Sequence, residues 1–315
     1  MRALHVPAAG AQPELGDLPT PTPSEGTVLI RVKAAGLNPI DNSIASGMVA
    51  GMIPHEYPLV LGRDAAGVVE AVGDGVEGIA VGDEVLGHVL LAPPVQAGTL
   101  AEYAVLPAAA VVHKPKSLGF AAAAALPLAG AAAAQAVESI DPQPGQTVLV
   151  NGASGGVGSF AVQLLASRGT TVIATGTSTD TDRLRELGAA EVIDFTAGPV
   201  AEQVRSAYPD GVDALVNLVG FSADDVPVAA LRRGGALAST TAEPDEQTVA
   251  AHELTSAQIM VAPVREVVAP LAEQAAAGTL KVAVADVLPL DQAAAGLATI
   301  AEGHVSGKIV IDCEA

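Results

Sequence analysis

The stretch from Thr147 to Gly169 limits the possible folds of this chain more than any other part of the sequence. It reads TVLVN, an apolar run typical of a buried strand, then a glycine-rich turn, then the helical pattern VGSFAVQLLASRG. A second strand (TVIAT, 171–175) and a second helix (TDRLRELGA, 181–189) follow. Further strands are predicted at EVIDF (191–195), DALVNLVG (213–220) and GALASTT (235–241), with helical stretches between most of them. This alternation predicts a parallel, doubly wound sheet.

The first 118 residues follow a different pattern, in which Gly- and Pro-containing turns separate short strands. The clearest strands are TVLIRVKAAG (27–36), AAGVVEAVG (65–73), DEVLGHVLL (83–91) and AEYAVL (101–106). Their spacing predicts an antiparallel, barrel-like β domain. The C-terminal part is mixed, with helical stretches at 264–277 and 291–303 and strands at KVAVADV (281–287) and GKIVID (307–312). We therefore predict an α/β protein with a β-rich domain and a doubly wound domain.

Charge and cysteine content exclude several kinds of partner. The 315 residues carry a net charge of −20, so nucleic acid and anionic membrane surfaces are not expected partners. Cys313 is the single cysteine, which excludes intrachain disulfides and a multi-cysteine zinc lobe. The start, MRALHVPAAG, lacks the pattern of a signal peptide, and we expect a cytoplasmic protein. The uncharged, alanine-rich stretch 117–137 contains Pro127 and predicts a buried pair of helices rather than a membrane span.

The sequence NGASGGVG (151–158) lies between a strand and a helix, the context in which a glycine-rich turn binds a dinucleotide. In the G-x-G-x-x-G register its three positions are Ala153, Gly155 and Gly158. Gly155 lets the backbone approach a pyrophosphate, Gly158 lets helix and strand pack closely, and the helix N-terminus favours the negative charge. The alternative is an ordinary tight turn without a ligand. The predicted cofactor contacts in this turn are Gly152, Ala153, Ser154, Gly155, Gly156, Val157 and Gly158.

The end of the second strand distinguishes NAD from NADP. An NAD site places a carboxylate there for the ribose hydroxyl, whereas this strand runs into Thr175, Gly176, Thr177 and Ser178. Hydroxyls and backbone N–H groups accept a 2′-phosphate, which a carboxylate repels. Arg183 is the nearest cation and either binds that phosphate or is solvated at the surface; Asp180 and Asp182 nearby oppose phosphate binding. On balance these residues favour NADPH.

The order of these motifs resembles the medium-chain dehydrogenase/reductase superfamily, and its zinc-independent quinone oxidoreductase branch in particular. The matching motifs span essentially the whole chain: AAGLNPID (34–41), PLVLGRDAAGVVEAVGDGV (58–76), GTLAEYAVLPA (98–108), AALPLAG (124–130), VLVNGASGGVG (148–158), RELGAAEVIDF (185–195) and GHVSGKIVI (303–311). The resemblance implies a GroES-like catalytic domain formed by residues 1–118 and 265–315 and a Rossmann NADPH-binding domain formed by residues 119–264. It also implies a homodimer.

Metal-dependent members of this superfamily place a cysteine ligand in G-x-C-x-x-D and a histidine ligand in G-H-E. The matching residues here are Asn38, in GLNPID, and Arg63, in LGRDAAG. Neither is a usual zinc ligand, and arginine adds a permanent positive charge where the cation would bind. The six histidines show no metal-ligand spacing. We therefore predict no metal site.

Reduction of a quinone or a conjugated carbonyl needs only a hydride from the cofactor and hydrogen-bond donors for the developing oxyanion. We expect Asn38 to lie nearest to the nicotinamide and the substrate oxygen, where its amide can donate; the alternative is a turn-capping role before Pro39. Asp41 is expected to hold Arg63 or the loop in place. Arg63 either polarises a carbonyl or forms a structural ion pair with Asp64. Asn38, Asp41 and Arg63 are the predicted catalytic residues.

Several positions depart from the family pattern or complete the predicted site. A tyrosine that lines the active site of some quinone reductases is missing after the N-x-x-D motif, and the family's L-T-A-W is replaced by four alanines at 131–134. Phe195 replaces a tyrosine and is expected to pack near the adenosine ribose without binding a 2′-phosphate. Tyr57, Met48 and Met52 either line the pocket or belong to the core. The remaining predicted cofactor contacts are Asn217, Val219, Gly220 and Ser239.

These features together predict an NADPH-dependent, zinc-free oxidoreductase that transfers hydride to quinones or α,β-unsaturated carbonyl compounds. One alternative is an enoyl-thioester reductase of the same superfamily, although no tyrosine proton donor can be placed near Asn38. Another is a catalytically weak NADPH-binding or sensor protein, since several active-site side chains of the family are missing. The strand candidate SAQIMVAP (256–263) is a possible sheet edge that pairs between subunits of a homodimer.

Overall fold

The structure is a computed structural model that describes residues 1–303 and 305–315. His304, part of the predicted C-terminal motif, lies outside the described residues. The chain forms two compact units, Met1–Leu128 with Ala262–Ala315, and Ala129–Val261. The structure thus divides the chain after Leu128 and before Ala262, whereas the sequence prediction placed the domain boundaries after residue 118 and before residue 265.

The strands and helices are numbered in chain order. The strands are β1 (Arg2–Val6), β2 (Glu14–Asp17), β3 (Thr27–Gly36), β4 (Leu59–Val60), β5 (Asp64–Val72), β6 (Glu84–His88), β7 (Tyr103–Pro107), β8 (Val111–His113), β9 (Thr147–Asn151), β10 (Thr171–Gly176), β11 (Glu191–Asp194), β12 (Val212–Asn217), β13 (Leu231–Ser239), β14 (Thr255–Gln258), β15 (Val284–Pro289) and β16 (Lys308–Asp312). The helices are α1 (Pro39–Ala45), α2 (Phe120–Ala124), α3 (Pro127–Ser139), α4 (Gly156–Ser167), α5 (Thr181–Glu186), α6 (Val200–Ala207), α7 (Glu246–Ala251), α8 (Arg265–Ala276) and α9 (Ala293–Glu302).

The first unit is built on two sheets. A seven-stranded sheet runs in the order β15-β16-β3-β5-β6-β8, with β7 also pairing with β3, and a three-stranded sheet has the order β2-β1-β4. All pairs in these sheets are antiparallel except β15 with β16. The long strand β3 carries the centre of the core, where Val28, Ile30 and Val32 are buried. The predicted bounds of this strand, 27–36, agree with the structure.

Two predicted elements of this unit differ from the structure. The predicted strand 83–91 ends at His88, because β6 pairs with β5 only as far as Asp64, the first residue of β5. The predicted helix pair is present as α2 and α3, which Pro127 separates by beginning the second helix. Helix α2 belongs to the first unit because it packs closely on β3: a side-chain Cβ at Gly36 would lie 2.3 Å from the Ala124 carbonyl oxygen. Across residues 1–303 and 305–315 no helix is both long and apolar enough to cross a bilayer.

The second unit is a six-stranded, wholly parallel sheet with the order β11-β10-β9-β12-β13-β14. The order reverses beside β9, so the turn after β9 lies at the position where doubly wound sheets bind ligands. The buried runs of β9, β10 and β12 are continuous rather than alternating, as expected for strands covered on both faces. The predicted fold class, a β-rich domain with a Rossmann sheet, is confirmed.

Candidate active site

Six polar side chains form a buried group in the first unit, which we call the buried polar cluster. Its members are Asn38, Asp41, Arg63, Asp64, His88 and Lys308, all of them buried. The three predicted catalytic residues are therefore neighbours in the structure, and the charges of Arg63, Asp64 and Lys308 all act on the Asp41 carboxyl. Because burying charged groups is costly unless they are paired, the hydrogen bonds of each member decide what the cluster can do.

Asn38 is held at both ends of its amide by groups of the chain. It follows the end of β3 and is the N-cap of α1. Its Oδ1 accepts a hydrogen bond of 2.5 Å from Lys308 Nζ, and its Nδ2 donates to Asp64 Oδ2 at 3.0 Å and to the Gly36 carbonyl at 3.3 Å. An amide nitrogen has two hydrogens, so both are already used. The role of Asn38 as a donor to substrate stays a prediction. Its backbone lies at the start of α1, as the capping alternative expects.

Asp64 is the best-paired group of the cluster. It lies opposite His88 in the register of β5 and β6, and its Oδ1 is 2.7 Å from His88 Nδ1. Its Oδ2 accepts from Asn38, and the Leu128 backbone N–H approaches both oxygens at 3.2 and 3.3 Å. Both oxygens of the carboxylate therefore already accept hydrogen bonds from other groups. Among the described residues Arg63, its neighbour in sequence, is not one of these donors.

Arg63 is buried with an unpaired edge. Only 1% of the residue is exposed, and Nε and Nη2 have no hydrogen-bond partner in the described part of the chain. The ion pair expected between Arg63 and Asp64 is not formed among these residues, since Asp64 binds His88 instead. Burial lowers the pKa of the guanidinium, while Asp41 and Asp64 raise it, and a guanidinium remains charged throughout. A buried donor without a partner costs about 1–3 kcal/mol, so two on one side chain indicate a binding position.

Asp41 is the third predicted catalytic residue, and it is fully buried. Its Oδ2 accepts the Asn38 backbone N–H at 2.9 Å, whereas its Oδ1 has no partner among the described residues. Burial raises the pKa of this carboxyl to about 7, an effect that outweighs the lowering by Arg63 and the Asn38 N–H. Near neutral pH the group is therefore poised between its acid and its carboxylate.

Three site residues were missed by sequence reasoning: His55, His88 and Lys308. Lys308 lies in the matching motif GHVSGKIVI, but nothing in that motif indicates that Nζ reaches Asn38 and the Leu37 carbonyl, each at 2.5 Å. His88 was placed inside a predicted strand, where alternation alone suggests an ordinary inward side chain. Burial and the Arg63 charge lower the pKa of His55.

The three predicted pocket-wall residues have different environments. Tyr57 is half-buried, and its hydroxyl is 3.5 Å from His55 Nδ1. Met48 and Met52 are 75% and 77% exposed, so neither belongs to the core of the unit. Of the three, only Tyr57 is tied to a side chain beside the buried polar cluster.

The glycine-rich turn of the second unit has the geometry of a phosphate cradle. Gly152 adopts a left-handed conformation with φ of 88°, and Gly155 is the N-cap of α4. A Cβ at Gly158 would lie 2.3 Å from the Gly152 carbonyl oxygen, so this glycine is needed for packing of the turn on the helix. A Cβ at Gly155 would meet only one protein atom, at 3.6 Å. The chain itself therefore does not require glycine at 155, which fits a close approach by a pyrophosphate.

Buried amides and hydroxyls connect the carboxyl ends of four strands behind this turn. Thr175 Oγ1 accepts the Gly152 N–H at 2.8 Å, Asn151 Nδ2 donates to Asn217 Oδ1 at 2.9 Å, and Asn217 Nδ2 donates to Ser239 Oγ at 3.2 Å. All four side chains are buried. Thr175, Asn217 and Ser239 were predicted as cofactor contacts, and the structure places them where they position the turn.

The Asp180 carboxylate holds the turn after β10 together through hydrogen bonds within that turn. Asp180 Oδ2 accepts from the backbone N–H and the hydroxyl of Thr177, at 3.0 and 2.8 Å. Its Oδ1 accepts from Arg183 Nη2, which also donates to the Ser154 carbonyl at 2.9 Å. Arg183 therefore links this turn to the glycine-rich turn, and its buried Nη1 has no partner in the described residues. Ser178 is exposed between them.

Three further predicted cofactor contacts lie after β11 and β12. Phe195 and Val219 are 39% and 44% exposed, unusual values for large apolar side chains. Gly220 is left-handed, with φ of 92°. Val219 also approaches the glycine-rich turn, since its Cγ1 would lie 2.6 Å from a Cβ at Gly152. Their role as cofactor contacts stays a prediction.

A β-rich unit with the buried polar cluster and a doubly wound sheet with a glycine-rich turn are the features expected of an oxidoreductase that uses a nicotinamide cofactor. The family descriptions that match the chain are "Alcohol dehydrogenase GroES-like domain" at residues 24–116 and "Zinc-binding dehydrogenase" at residues 187–311. Despite the second name, no group of three His, Cys, Asp or Glu side chains is arranged as a metal site in residues 1–303 and 305–315.

Comparison with individual proteins identifies the branch of the family more narrowly. It is 31% identical over 309 residues to a chloroplast envelope quinone oxidoreductase homolog of Arabidopsis thaliana, covering 94% of this chain and 92% of the relative. An NADPH-dependent alkenal/one oxidoreductase of the same plant is 35% identical over 229 residues, 70% of this chain and 56% of that protein. The solved quinone oxidoreductase of Coxiella burnetii superposes with a TM-score of 0.89 at 28% identity, covering 99% of both chains. The chain belongs to the quinone oxidoreductase branch of the medium-chain dehydrogenase/reductase superfamily, as its motifs predict.

Proposed function

We propose that this chain is an NADPH-dependent, zinc-free reductase of quinones or α,β-unsaturated carbonyl compounds. The observation that carries the proposal is Arg63, a buried guanidinium whose Nε–H and Nη2–H have no partner among the described residues. Donors held in a buried position stabilise a negative charge that develops on a substrate oxygen, and they need no reorganisation to do so.

NADPH, when bound, supplies a hydride ion, that is, two electrons and a proton, to the acceptor. Arg63 then stabilises the oxyanion that remains, and a solvent proton completes the hydroquinone or ketone. Asn38 contributes by position, because its amide connects the Lys308 ammonium to the Asp64 carboxylate. Asp41, with one free oxygen, lies within the same group.

The charges of the cluster support a mechanism without zinc. Two buried cations, Arg63 and Lys308, are present where a metal-dependent relative would need anionic or neutral ligands. The carboxylate that is closest to this role, Asp64, already accepts hydrogen bonds from His88, Asn38 and the Leu128 N–H. A further divalent cation would be repelled by the arginine and would find no free ligand set.

The preference for NADPH is supported by the turn after β10. An NAD site would direct a carboxylate outward toward the ribose, whereas Asp180 is 5% exposed and is bound by Thr177 and Arg183 of its own turn. Arg183 retains an unpaired Nη1, which is suited to a 2′-phosphate. The first N–H groups of α4, beginning at Gly156, are without partners inside the helix and would hold the pyrophosphate.

The direct test is oxidation of NADPH and NADH with 1,4-benzoquinone, 9,10-phenanthrenequinone and crotonyl thioester, after metal analysis of the purified protein. We expect turnover with quinones, a higher kcat/KM with NADPH than with NADH, and no stoichiometric zinc. Turnover with the thioester alone would indicate the enoyl-thioester reductase instead. Tight NADPH binding without turnover on any acceptor would leave only a binding or sensor function. Bound zinc would overturn the account of the cluster.

We also infer a homodimer in the cytoplasm. Strand β14 is the last strand of the parallel sheet, so its outer backbone groups are available for pairing with a second copy. The high acidic charge makes nucleic acid and anionic membranes poor partners.

A further inference from the structure

Phe221, in the second unit, is an aromatic residue that is 100% exposed. A single exposed apolar residue is ordinary on a protein surface, so exposure alone assigns no role to this ring. Its backbone, its position on the sheet and the cavity beside its loop decide what the ring can bind.

The backbone around Phe221 is held by one carboxylate. Asp225 Oδ2 accepts from the Ser222 N–H and from the Phe221 N–H, each at 2.9 Å, and these hydrogen bonds lower the pKa of Asp225. Gly220 is left-handed, and a Cβ there would lie 2.5 Å from the Asp225 Cβ. The ring is therefore presented from a fixed backbone, so little conformational entropy is lost when it contacts a ligand.

Phe221 follows β12 at the carboxyl edge of the parallel sheet, where doubly wound folds bind their ligands. Val219, two residues earlier, packs toward the glycine-rich turn, since its Cγ1 would lie 2.6 Å from a Cβ at Gly152. The Val219 carbonyl accepts from Asn217 Nδ2 at 3.0 Å and from Thr241 Oγ1 at 3.1 Å. The loop that carries the ring is thus anchored beside the turn that is expected to bind the pyrophosphate.

A cavity of about 480 Å³ lies beside this loop. It is lined by residues 223–229, just after Phe221, and by residues 199–201, which follow β11. Strand β11 pairs with β10, whose end contacts the adenosine ribose in folds of this type. Asp224, Asp225 and Asp245 also line the cavity, and three carboxylates repel a phosphate but not a neutral base. The surroundings of Phe221 therefore suit a purine ring.

We propose that Phe221 stacks on the adenine ring of bound NADPH and contributes to the affinity of this chain for its cofactor. The inference rests on the proposed function, which requires NADPH. A nucleobase that stacks on an aromatic side chain is bound through its π-face and needs no particular hydrogen-bond partner. Adenine is at the end of the cofactor that does not donate hydride, so Phe221 affects cofactor binding and not the chemical step.

A fluorescent reporter tests the contact directly. The chain has no tryptophan, so Phe221→Trp provides its one indole, whose emission should fall when it stacks on a purine. We expect the emission to fall with 2′,5′-ADP, which contains adenine, and to stay constant with nicotinamide mononucleotide, which does not. Asp210→Trp is the matched control, because Asp210 is exposed in the turn before β12, about 20 Å away along the same strand. A fall with nicotinamide mononucleotide, an equal fall in both variants, or no fall at all would overturn the inference.

Removal of the ring measures its contribution to affinity. Phe221→Ala should weaken binding of 2′,5′-ADP and of NADPH by about tenfold, whereas Phe221→Tyr keeps the ring and should bind both within about twofold of wild type. The kcat at saturating NADPH should change by less than about twofold in either variant. Val81→Ala, which shortens a side chain that is 65% exposed in a turn of the first unit, is the control and should leave both Kd values unchanged. Wild-type affinity in Phe221→Ala would overturn the inference.

The same measurements separate this inference from the proposed function. Turnover of quinones with NADPH, together with equal affinity for 2′,5′-ADP in wild type and Phe221→Ala, would refute the stacking contact and leave the reductase intact. A loss of 2′,5′-ADP affinity in Phe221→Ala, in a protein that turns over none of the acceptors, would support the stacking contact and refute the reductase.

Discussion

Asn38 and Arg63, the two residues that the motif comparison matches to the zinc ligands of metal-dependent relatives, are 3% and 1% exposed. They differ in hydrogen bonding. Asn38 has every hydrogen of its amide engaged, whereas Arg63 has two that are not. Burial alone therefore does not show which polar group still has hydrogen-bonding capacity for a ligand; the unpaired donors do.

Replacement of Asn38 tests whether it acts on chemistry or on cofactor binding. Asn38→Ala removes the acceptor of Lys308 Nζ and the donor to Asp64, so the cluster loosens and the protein loses about 1–3 kcal/mol of stability. We expect kcat to fall by about tenfold or more, while the Kd for NADPH changes by less than about threefold. Asn42→Ala, which loses one hydrogen bond of 2.9 Å to the Leu297 carbonyl, is the control and should keep its kcat. A larger change in Kd than in kcat would make Asn38 mainly a cofactor contact.

The raised pKa of Asp41 makes stability depend on pH in a defined direction. The folded carboxyl keeps its proton up to about pH 7, while in the unfolded chain it loses the proton near 3.8. Between these values the folded state holds more protons, so the free energy of unfolding contributed by Asp41 falls as pH rises.

Urea unfolding of wild type and Asp41→Asn at pH 5 and pH 8 measures this effect. Asparagine does not titrate, so the variant should become more stable relative to wild type at the higher pH. The change should reach a few kcal/mol, since one pKa unit corresponds to about 1.4 kcal/mol. The charges that act on Asp41, from Arg63, Asp64 and Lys308, are present in both proteins. A stability difference that is equal at both pH values would show that the folded carboxyl is ionised.

The strand–turn–helix element from β9 to α4 contains two glycines with separate functions. A Cβ at position 158 would lie 2.3 Å from the Gly152 carbonyl oxygen, whereas a Cβ at position 155 would lie 3.6 Å from the same atom. The φ of Gly155 is −73°, a value that alanine adopts readily. One glycine therefore serves packing and the other leaves room for a ligand.

Alanine substitution separates the two functions. Gly155→Ala should leave the melting temperature nearly unchanged and weaken NADPH binding by about tenfold or more, because the methyl group occupies the pyrophosphate position. Gly158→Ala should lower stability by about 1–3 kcal/mol, because the turn must move away from the helix. Thermal melting and NADPH titration of both variants check this. Normal NADPH affinity in Gly155→Ala would mean that the cofactor does not approach this part of the turn.

The proposed homodimer depends on β14, the last strand of the parallel sheet. Directly after this parallel strand the Ile259 N–H binds the Ser239 carbonyl of the neighbouring strand at 2.8 Å, so alternation directs the Ser256 N–H outward. A proline at 256 removes that outward donor without touching the inner ladder. Sedimentation should show a dimer for wild type and for Ser256→Ala, and a monomer for Ser256→Pro. A monomeric wild type would contradict the proposed homodimer.

Local patterns in the sequence were sufficient to predict the fold class and the bounds of several strands. Continuous apolar runs, a glycine-rich turn and helical periodicity predicted the doubly wound sheet, and β3 and β9 begin and end where the patterns place them. The different packing roles of Gly155 and Gly158 also follow from their spacing. Such features depend on residues that are neighbours in the chain, where backbone geometry decides the structure.

The chemistry of the buried polar cluster was decided only in three dimensions. Adjacent Arg63 and Asp64 suggest an ion pair, yet Asp64 binds His88, 24 residues away, and Asn38 is bound by Lys308, 270 residues away. A hydrogen-bonding group has a limited number of partners, and distant parts of the chain compete for them once the fold is formed. The sequence alone therefore determined which residues are candidates, and the tertiary structure determined which of them, Arg63, still has donors to offer.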